Sequence, residues 1–211
     1  MLQAALRAVA LLSLAAAPAR AATVPPAAPL DTIVLGGGCF WGVQAVFQHV
    51  KGVVSATSGY SGGTVANPTY EQVSSGRTGH AEVVRVVYDP AKVSYQQLLT
   101  VFFTVAHDPT QLNRQGPDVG TQYRSAVFHT SEVQRQATQA FIAQLEKSRA
   151  VEGKVVTQVA PLRRFDVAEK YHQDYATLHP DQPYIMFNDA PKIAALKAQH
   201  PRLWSESLAA H

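Results

Sequence analysis

The sequence predicts a single α/β domain in which helices pack on one face of a mixed β-sheet. The chain has 211 residues, which is enough for one domain with a substantial core. Hydrophobic residues make up 46% and charged residues 16%, a composition typical of globular proteins rather than disordered ones. Short β-branched runs alternate with stretches of helical periodicity, in the order strand–helix–strand, strand–helix–strand, and then helix and strand.

The predicted elements begin at residue 31 with a short buried strand over 31–35. Apolar residues at helical spacing then predict a helix from about Cys39. The clearest strand is 81–88, whose alternation places Glu82 on a face with apolar neighbours. The other predicted elements are strands at 52–58, 123–130 and 155–159, helices beginning at Ser94 and Ser131, and a short helix near 191–198. This order predicts a two-layer sandwich with a ferredoxin-like plait core and a long irregular C-terminal tail.

Residues 1–21 have the pattern of a secretory signal peptide, with Arg7 in the n-region, an apolar stretch, and a small-x-small cleavage pattern at 19–21. Residues 22–30 contain three prolines and predict an extended tether. We therefore expect one domain over 31–200, a tail over 201–211, and an exported protein, either periplasmic in a bacterium or secreted.

The remaining charge is nearly balanced once the predicted signal peptide is set aside. Without Arg7 and Arg20, 16 Lys and Arg residues stand against 15 Asp and Glu residues. No basic cluster favours a nucleic-acid partner, and no stretch beyond the leader approaches membrane-spanning length. We expect a monomer that associates with neither nucleic acid nor a membrane.

Cys39 is the only cysteine, and it directly follows three glycines at the predicted junction of strand, turn and helix. Unpaired N–H groups at a helix start stabilise a thiolate, so the position predicts a lowered thiol pKa. A lone cysteine is more often a small buried hydrophobe, but the glycine run favours a reactive thiol. A dinucleotide loop is excluded because Trp41 stands where the third glycine belongs. One cysteine forms neither an internal disulfide nor a cysteine-rich zinc site.

The residues near Cys39 suit attack by a thiol on a weak electrophile. Glu82, if half-buried, should have a raised pKa and could donate a proton, whereas a glutamate at a strand edge would reach solvent. A sulfoxide fits this set, because its sulfur becomes electrophilic when its oxygen is hydrogen-bonded, and its methyl group suits aromatic walls. Histidines in the predicted loops could pair with the cysteine, so the spacing leaves a cysteine protease open. A metal site at His80 and His107 lacks a recognised ligand spacing.

Five motifs occur in order along the chain. They are Gly38-Cys39-Phe40-Trp41-Gly42, Asn67-Pro68-Thr69-Tyr70, Gly79-His80-Ala81-Glu82, His107-Asp108-Pro109-Thr110, and Asp118-Val119-Gly120-Thr121-Gln122-Tyr123-Arg124-Ser125. Over roughly residues 31–176 the chain thereby resembles the peptide methionine sulfoxide reductase A family.

The resemblance implies a role for each matching residue. Cys39 would attack the sulfoxide sulfur and become a sulfenic acid, and Glu82 would protonate or hydrogen-bond the sulfoxide oxygen. The implied binding residues are Tyr70 and Tyr123 for the oxygen, Asp118 as organiser of the site, and Phe40 and Trp41 for the methyl group. The family acts on the S epimer of methionine sulfoxide, free or within peptides, and needs no metal or organic cofactor.

The chain departs from the family pattern in two places. Gln44 stands where a glutamate often follows the nucleophile motif, and no resolving cysteine is present near the C-terminus. We therefore expect an external thiol, either a thioredoxin-like protein or a small molecule, to attack the sulfenic acid directly. A thiol peroxidase or thioltransferase remains an alternative, and so does a peptide-binding module that holds methionine side chains.

Overall fold

The computed structural model describes residues 29–211, which form eight strands and six α-helices. The predicted signal peptide and residues 22–28 of the predicted tether lie outside the described residues. The strands are β1 (Asp31–Gly36), β2 (Val53–Ser61), β3 (Ala81–Tyr88), β4 (Arg114–Gln115), β5 (Asp118–Val119), β6 (Ala126–His129), β7 (Gln158–Pro161) and β8 (Asp166–Val167). The helices are α1 (Phe40–Gln48), α2 (Tyr70–Ser74), α3 (Tyr95–Val101), α4 (Glu132–Ser148), α5 (Tyr175–Leu178) and α6 (Ala190–Gln199).

The main sheet has the strand order β7-β6-β1-β3-β2-β8. Its four central strands are antiparallel, with α1 between β1 and β2 and α3 between β3 and β6. This is the split β-α-β arrangement of a ferredoxin-like plait, as predicted. Strand β7 pairs with β6 in parallel after the crossover through α4, so the sheet is mixed, which is also confirmed.

The sheet register places Glu82 beside the turn that leads to Cys39. In the β1–β3 pair, Leu35 lies opposite Val84, so β1 ends next to the start of β3. Tyr60 of β2 lies opposite Glu82 on the other side. Gly36 permits this approach, because a Cβ at that position would lie 3.2 Å from the carbonyl oxygen of Glu82.

The main core lies between one face of the sheet and the helices α1 and α3. Its largest fully buried side chains include Phe40, Phe47, Phe102 and Leu99. The opposite face carries a smaller cluster around Val34, Val83 and Phe128, which Leu162 and Phe165 partly cover.

Several predicted boundaries differ from the structure because they lie in segments ordered by distant contacts. The predicted loop after residue 58 contains the end of β2 and the five-residue α2. Tyr123 belongs to a short 3-10 turn, so β6 begins at Ala126 and not at residue 123. The C-terminal region, predicted to be irregular apart from one helix, also holds α5 and the short edge strand β8.

Residues 201–211 fold back onto the start of the domain. Ser205 N donates to His49 O, and Ala56 N donates to Ala210 O. The Trp204 ring stacks on His49 with centroids 4.2 Å apart. Within the described range, no helix combines the length and apolar character needed to cross a membrane.

Candidate active site

Cys39 is the N-cap of α1, at the end of a glycine turn that only small residues could form. Gly38 has φ +90, and a Cβ there would lie 2.6 Å from the side chain of Gln115. Gly37 lies against His107, 3.1 Å from where its own Cβ would be. The turn therefore holds the cysteine at the start of the helix. Cys39 is 8% exposed and lines two cavities, so it is not sealed within the core.

One cavity of about 210 Å³ brings together all seven site residues predicted from the sequence. It is lined by Cys39, Phe40, Trp41, Tyr70, Glu82, Asp118, Tyr123 and Tyr184. The first seven come from α1, α2, β3, β5 and the 3-10 turn at Thr121–Tyr123, elements that are separate in sequence. The fold thus places the thiol, the carboxyl group and the aromatic side chains around one space. We call it the first cavity.

Glu82 is 2% exposed, so it is a buried carboxyl group and not a solvent-reaching edge residue. Its Oε2 accepts a hydrogen bond of 3.0 Å from the backbone N–H of Phe40, the first residue of α1. Burial raises the pKa of Glu82 to about 8; the Phe40 bond opposes this, and the negative charge of Asp118 adds to it. Glu82 is therefore mostly protonated at neutral pH and can donate a proton.

The predicted lowering of the Cys39 pKa is wrong for the unliganded protein. Burial raises the pKa of the thiol well above its usual value, and the charges of Glu82 and Asp189 raise it further. The backbone N–H of Trp41 acts in the opposite direction but does not prevail. The physical reason is that the fold removes the thiol from water and places acidic side chains near it, and this outweighs the backbone N–H groups at the helix start.

The aromatic wall of the first cavity is held in place by neighbours from the C-terminal region. The Trp41 ring stacks on Tyr175, with centroids 3.8 Å apart and planes 12° from parallel. Trp41 Nε1 donates to His172 Nδ1 at 3.1 Å. Burial lowers the pKa of His172, which keeps the imidazole neutral and able to accept this bond. No site role was predicted for His172 or Tyr175, because their contact with Trp41 is formed only by the tertiary fold.

Tyr70 and Tyr123 present phenol groups to the same space. Tyr70 is the first residue of α2, and its backbone N–H donates to Glu169 Oε1 at 2.8 Å. Burial raises the pKa of both phenols, with the negative charge of Glu82 as a further cause. Both hydroxyl groups therefore stay protonated and can act as hydrogen-bond donors.

Tyr184 is a cavity residue that was not predicted from the sequence. Its hydroxyl donates to Asp118 Oδ2, although the two residues are 66 positions apart. The Tyr184 ring also meets Trp41 edge-on, with centroids 5.9 Å apart. The one sequence signal for a role of Tyr184 was the density of aromatic residues after residue 161, which does not indicate that its hydroxyl binds Asp118.

Asp189 is a buried acidic residue near Cys39 that was not predicted from the sequence. It is fully buried, and its Oδ1 lies 3.1 Å from Lys192 Nζ. It packs against Gly42 of α1, where a Cβ would lie 2.1 Å from the same oxygen. In the part of the chain that the structure describes, no group of three or more His, Cys, Asp or Glu residues is arranged to hold a metal ion.

Comparison with known proteins agrees with the motifs. The model of the family described as "Peptide methionine sulfoxide reductase" matches residues 31–203. The chain is similar to peptide methionine sulfoxide reductase MsrA 2 of Mesorhizobium japonicum, with 55% identity over 176 residues, covering 83% of this chain and 90% of the relative. For MsrA 2 of Synechocystis, identity is 50% over 170 residues, covering 81% of this chain and 79% of the relative.

Solved structures give the same result. Methionine sulfoxide reductase A of Corynebacterium diphtheriae superposes with a TM-score of 0.64 at 37% identity, covering 72% of this chain and 76% of that one. Reduced Mxr1 from Saccharomyces cerevisiae superposes with a TM-score of 0.67 at 31% identity, covering 75% of this chain and 90% of that one. The resemblance seen in the motifs is therefore confirmed, and the chain belongs to the peptide methionine sulfoxide reductase family.

Proposed function

We propose that this enzyme reduces the S epimer of methionine sulfoxide, free or within peptides, with Cys39 as nucleophile and Glu82 as acid. The single observation that carries the proposal is the first cavity itself. It combines a thiol at a helix start, a buried carboxyl group with a pKa of about 8, and two aromatic side chains. A thiol, a proton donor and an apolar wall are what sulfoxide reduction needs.

The proposed reaction transfers one oxygen atom. Tyr70, Tyr123 and protonated Glu82 hydrogen-bond the sulfoxide oxygen, which makes the substrate sulfur electrophilic. The substrate methyl group packs against Phe40 and Trp41. The Cys39 sulfur attacks the sulfoxide sulfur, the substrate S–O bond breaks, and its oxygen passes to the Cys39 sulfur. The substrate leaves as a thioether, and Cys39 becomes a sulfenic acid whose oxygen carries the thiol proton. Asp118 orients the site through its bond with Tyr184.

We propose that an external thiol regenerates Cys39, because the chain has no second cysteine to form an intramolecular disulfide. Either a thioredoxin-like protein or a small thiol would supply the two electrons for each turnover. The protein would thus repair oxidised methionine residues at the expense of an external thiol pool.

We also propose that the protein is exported, on the basis of the leader at residues 1–21. Expression of the full chain in a bacterial host, followed by mass spectrometry of the periplasmic fraction, tests this. The expected product begins near residue 22, and an unprocessed cytoplasmic chain would contradict the assignment.

The decisive experiment for the activity is anaerobic mixing with a sulfoxide substrate in the absence of any reductant. The S epimer should yield about one methionine per enzyme and leave a dimedone-reactive sulfenic acid on Cys39. The R epimer should yield none, and Cys39→Ser should be inactive with both. Many turnovers without thiol, or a burst that Cys39→Ser retains, would refute the proposed chemistry. Hydrogen peroxide in a parallel reaction distinguishes a thiol peroxidase.

A further inference from the structure

A second cavity, of about 150 Å³, also reaches Cys39. It is lined by Cys39, Gln115, Gly116, Pro117, Asp118, Tyr184, Phe187, Asn188 and Lys192. It shares Cys39, Asp118 and Tyr184 with the first cavity. Tyr184 donates its hydroxyl hydrogen bond to Asp118, and both residues border two spaces that reach the same cysteine.

The two cavities differ in chemistry. Besides the three shared residues, the first contains Glu82, two phenols and the aromatic side chains that suit a sulfoxide. The second has Lys192, which among residues 29–211 is the only lysine or arginine that lines either cavity. Its Nζ lies 3.1 Å from Asp189, and its side chain keeps 20% of its surface exposed. Phe187, at 78% exposure, lies among the lining residues.

We propose that the second cavity is the entrance through which a small reducing thiol reaches oxidised Cys39, with Lys192 as the group that stabilises the incoming thiolate. The inference rests on the proposed function, because it needs the sulfenic acid that sulfoxide reduction produces. It adds a binding site and two residues, Asn188 and Lys192, to the second half of the cycle.

The chemistry of the thiol step explains why a separate approach is needed. The incoming thiolate sulfur forms a bond to the Cys39 sulfur as the S–O bond breaks, and the departing hydroxide takes a proton and leaves as water. A second thiolate then attacks the mixed disulfide, which releases a disulfide and the reduced Cys39. Attack at sulfur is favoured in line with the leaving oxygen. Because the first cavity holds that oxygen, the thiolate should arrive from the other side of the sulfur.

The size of the second cavity and the ammonium group of Lys192 fit this occupant, while Asp118 of the same lining carries the opposite charge. A lysine ammonium favours the thiolate over the thiol, and the thiolate is the nucleophilic form. The hairpin turn at Gly116 leaves the space open, since a Cβ there would meet nothing within 4 Å. A volume of about 150 Å³ admits a small thiol but not a folded partner.

The test separates the two halves of the cycle in the full-length enzyme. The first half is the methionine burst with the S epimer and no thiol. The second is the loss of dimedone reactivity after 2-mercaptoethanol is added to the oxidised enzyme. Asn188→Trp should narrow the second cavity, and Met186→Trp is the matched control, because Met186 is exposed and outside the lining.

We expect Asn188→Trp to slow the thiol step at least tenfold more than it slows the burst. Lys192→Met should slow the thiol step about tenfold at neutral pH, with the loss shrinking at high pH, where the free thiol is ionised without help. Met186→Trp should behave as wild type.

Equal slowing of both steps by Asn188→Trp, or no slowing of the thiol step by either variant, would overturn the inference. A missing burst in the wild type would instead refute the proposed function.

Discussion

Glu82 and Cys39 are two buried acids beside one cavity, and the charge of Glu82 makes ionisation of Cys39 harder. Burial is the main cause of the raised pKa of both groups, and the negative charge of Glu82 is a further cause for the thiol. Near neutral pH the pair therefore keeps at least one proton. The shared proton can be used in the reaction, because a sulfoxide oxygen bound in the cavity can accept it from Glu82 next to the Cys39 nucleophile.

Glu82→Gln should separate the proton donation by this carboxyl group from the effect of its negative charge on the Cys39 thiol. The amide oxygen can still accept the bond from Phe40 N–H, so the turn should persist. Without the acid, the methionine burst should slow by about 10²-fold or more. Without the charge, the thiol pKa should fall, so alkylation of Cys39 by iodoacetamide near pH 8 should become faster. A burst within threefold of wild type would remove Glu82 from its role as acid.

The unfolding free energy of the enzyme should depend on pH through the ionisation of Glu82. The folded pKa of about 8 exceeds the reference value of 4.5, so between these values the folded state holds a proton that the unfolded state has released. Glu82 therefore contributes stability below about pH 4.5 that is lost as the pH rises through about 8. Relative to Glu82→Gln, wild type should lose on the order of 4 kcal/mol of unfolding free energy from pH 5 to 8.

Urea unfolding of both proteins across this pH range measures the difference. Other buried acids, such as Asp189, are present in both proteins and cancel in the comparison. Parallel stability curves for wild type and variant would show that Glu82 is ionised in the folded protein.

At the scale of residues, the sequence predicts best where function demands an unusual local pattern. The glycine run before Cys39 and the alternation around Glu82 made both groups candidates for one site, and the resemblance to the family assigned their roles. The sign of the Cys39 pKa shift was not predictable, because it depends on burial and on Asp189, which is 150 positions away. Tyr184 was missed for the same reason, since its partner Asp118 meets it only in the tertiary structure.

At the scale of elements, a buried amide pair joins α1, β2 and the segment before α5. The side-chain nitrogen of Gln44 donates to Ala56 O at 2.9 Å and to Gln173 Oε1 at 3.0 Å. Its oxygen accepts from Asp174 N at 2.9 Å. Gln173 in turn donates to Ser58 O and Ala168 O. Every polar atom of both amides has a partner, so the network holds the three elements in one register.

Gln44→Glu, which restores the residue common in the family pattern, should therefore destabilise this chain. An ionised carboxylate would face Ala56 O and the Gln173 oxygen, which are both acceptors, in a site with no solvent exposure. We expect a loss of about 1–3 kcal/mol at pH 8 and a smaller loss at pH 5, where the protonated acid can donate one bond. Urea unfolding at both pH values checks this, with Gln44→Met as the neutral comparison. A Glu variant as stable as wild type at pH 8 would show that the network rearranges without cost.

The elements that were predicted correctly are those with long periodic patterns, and those that were missed are short. Helix α1 and strand β3 follow their hydrophobic periodicity to within a residue or two. Helix α2 has five residues, too few for a periodic signal. A local signal was present, because Thr69 and Gln72 form a capping box at its start. The edge strand β8 has two residues and depends on its pairing with β2, which local sequence does not encode.

At the scale of the whole molecule, the C-terminal segment closes the fold against its own beginning. Trp204 stacks on His49, and the ammonium of Lys197 lies 5.1 Å from the centre of the Trp204 ring. Backbone bonds join Ser205 to His49 and Ala210 to Ala56. The predicted boundary between a domain ending at 200 and a passive tail at 201–211 stays a prediction, but these contacts argue that the tail contributes to stability.

Deletion of residues 204–211 tests that boundary. The deletion removes the stack on His49 and at least three backbone hydrogen bonds, while every residue that lines the two cavities lies at or before Lys192. We expect the unfolding free energy to fall by about 2–4 kcal/mol and the methionine burst at low temperature to stay close to wild type. Trp204→Ala alone should account for part of the loss, because it removes the stack but keeps the backbone bonds. If the truncated protein melts at the same temperature as the full chain, residues 201–211 are a passive tail and the domain does end near residue 200. If the burst is lost while the protein remains folded, the segment instead supports α1 closely enough to position Cys39.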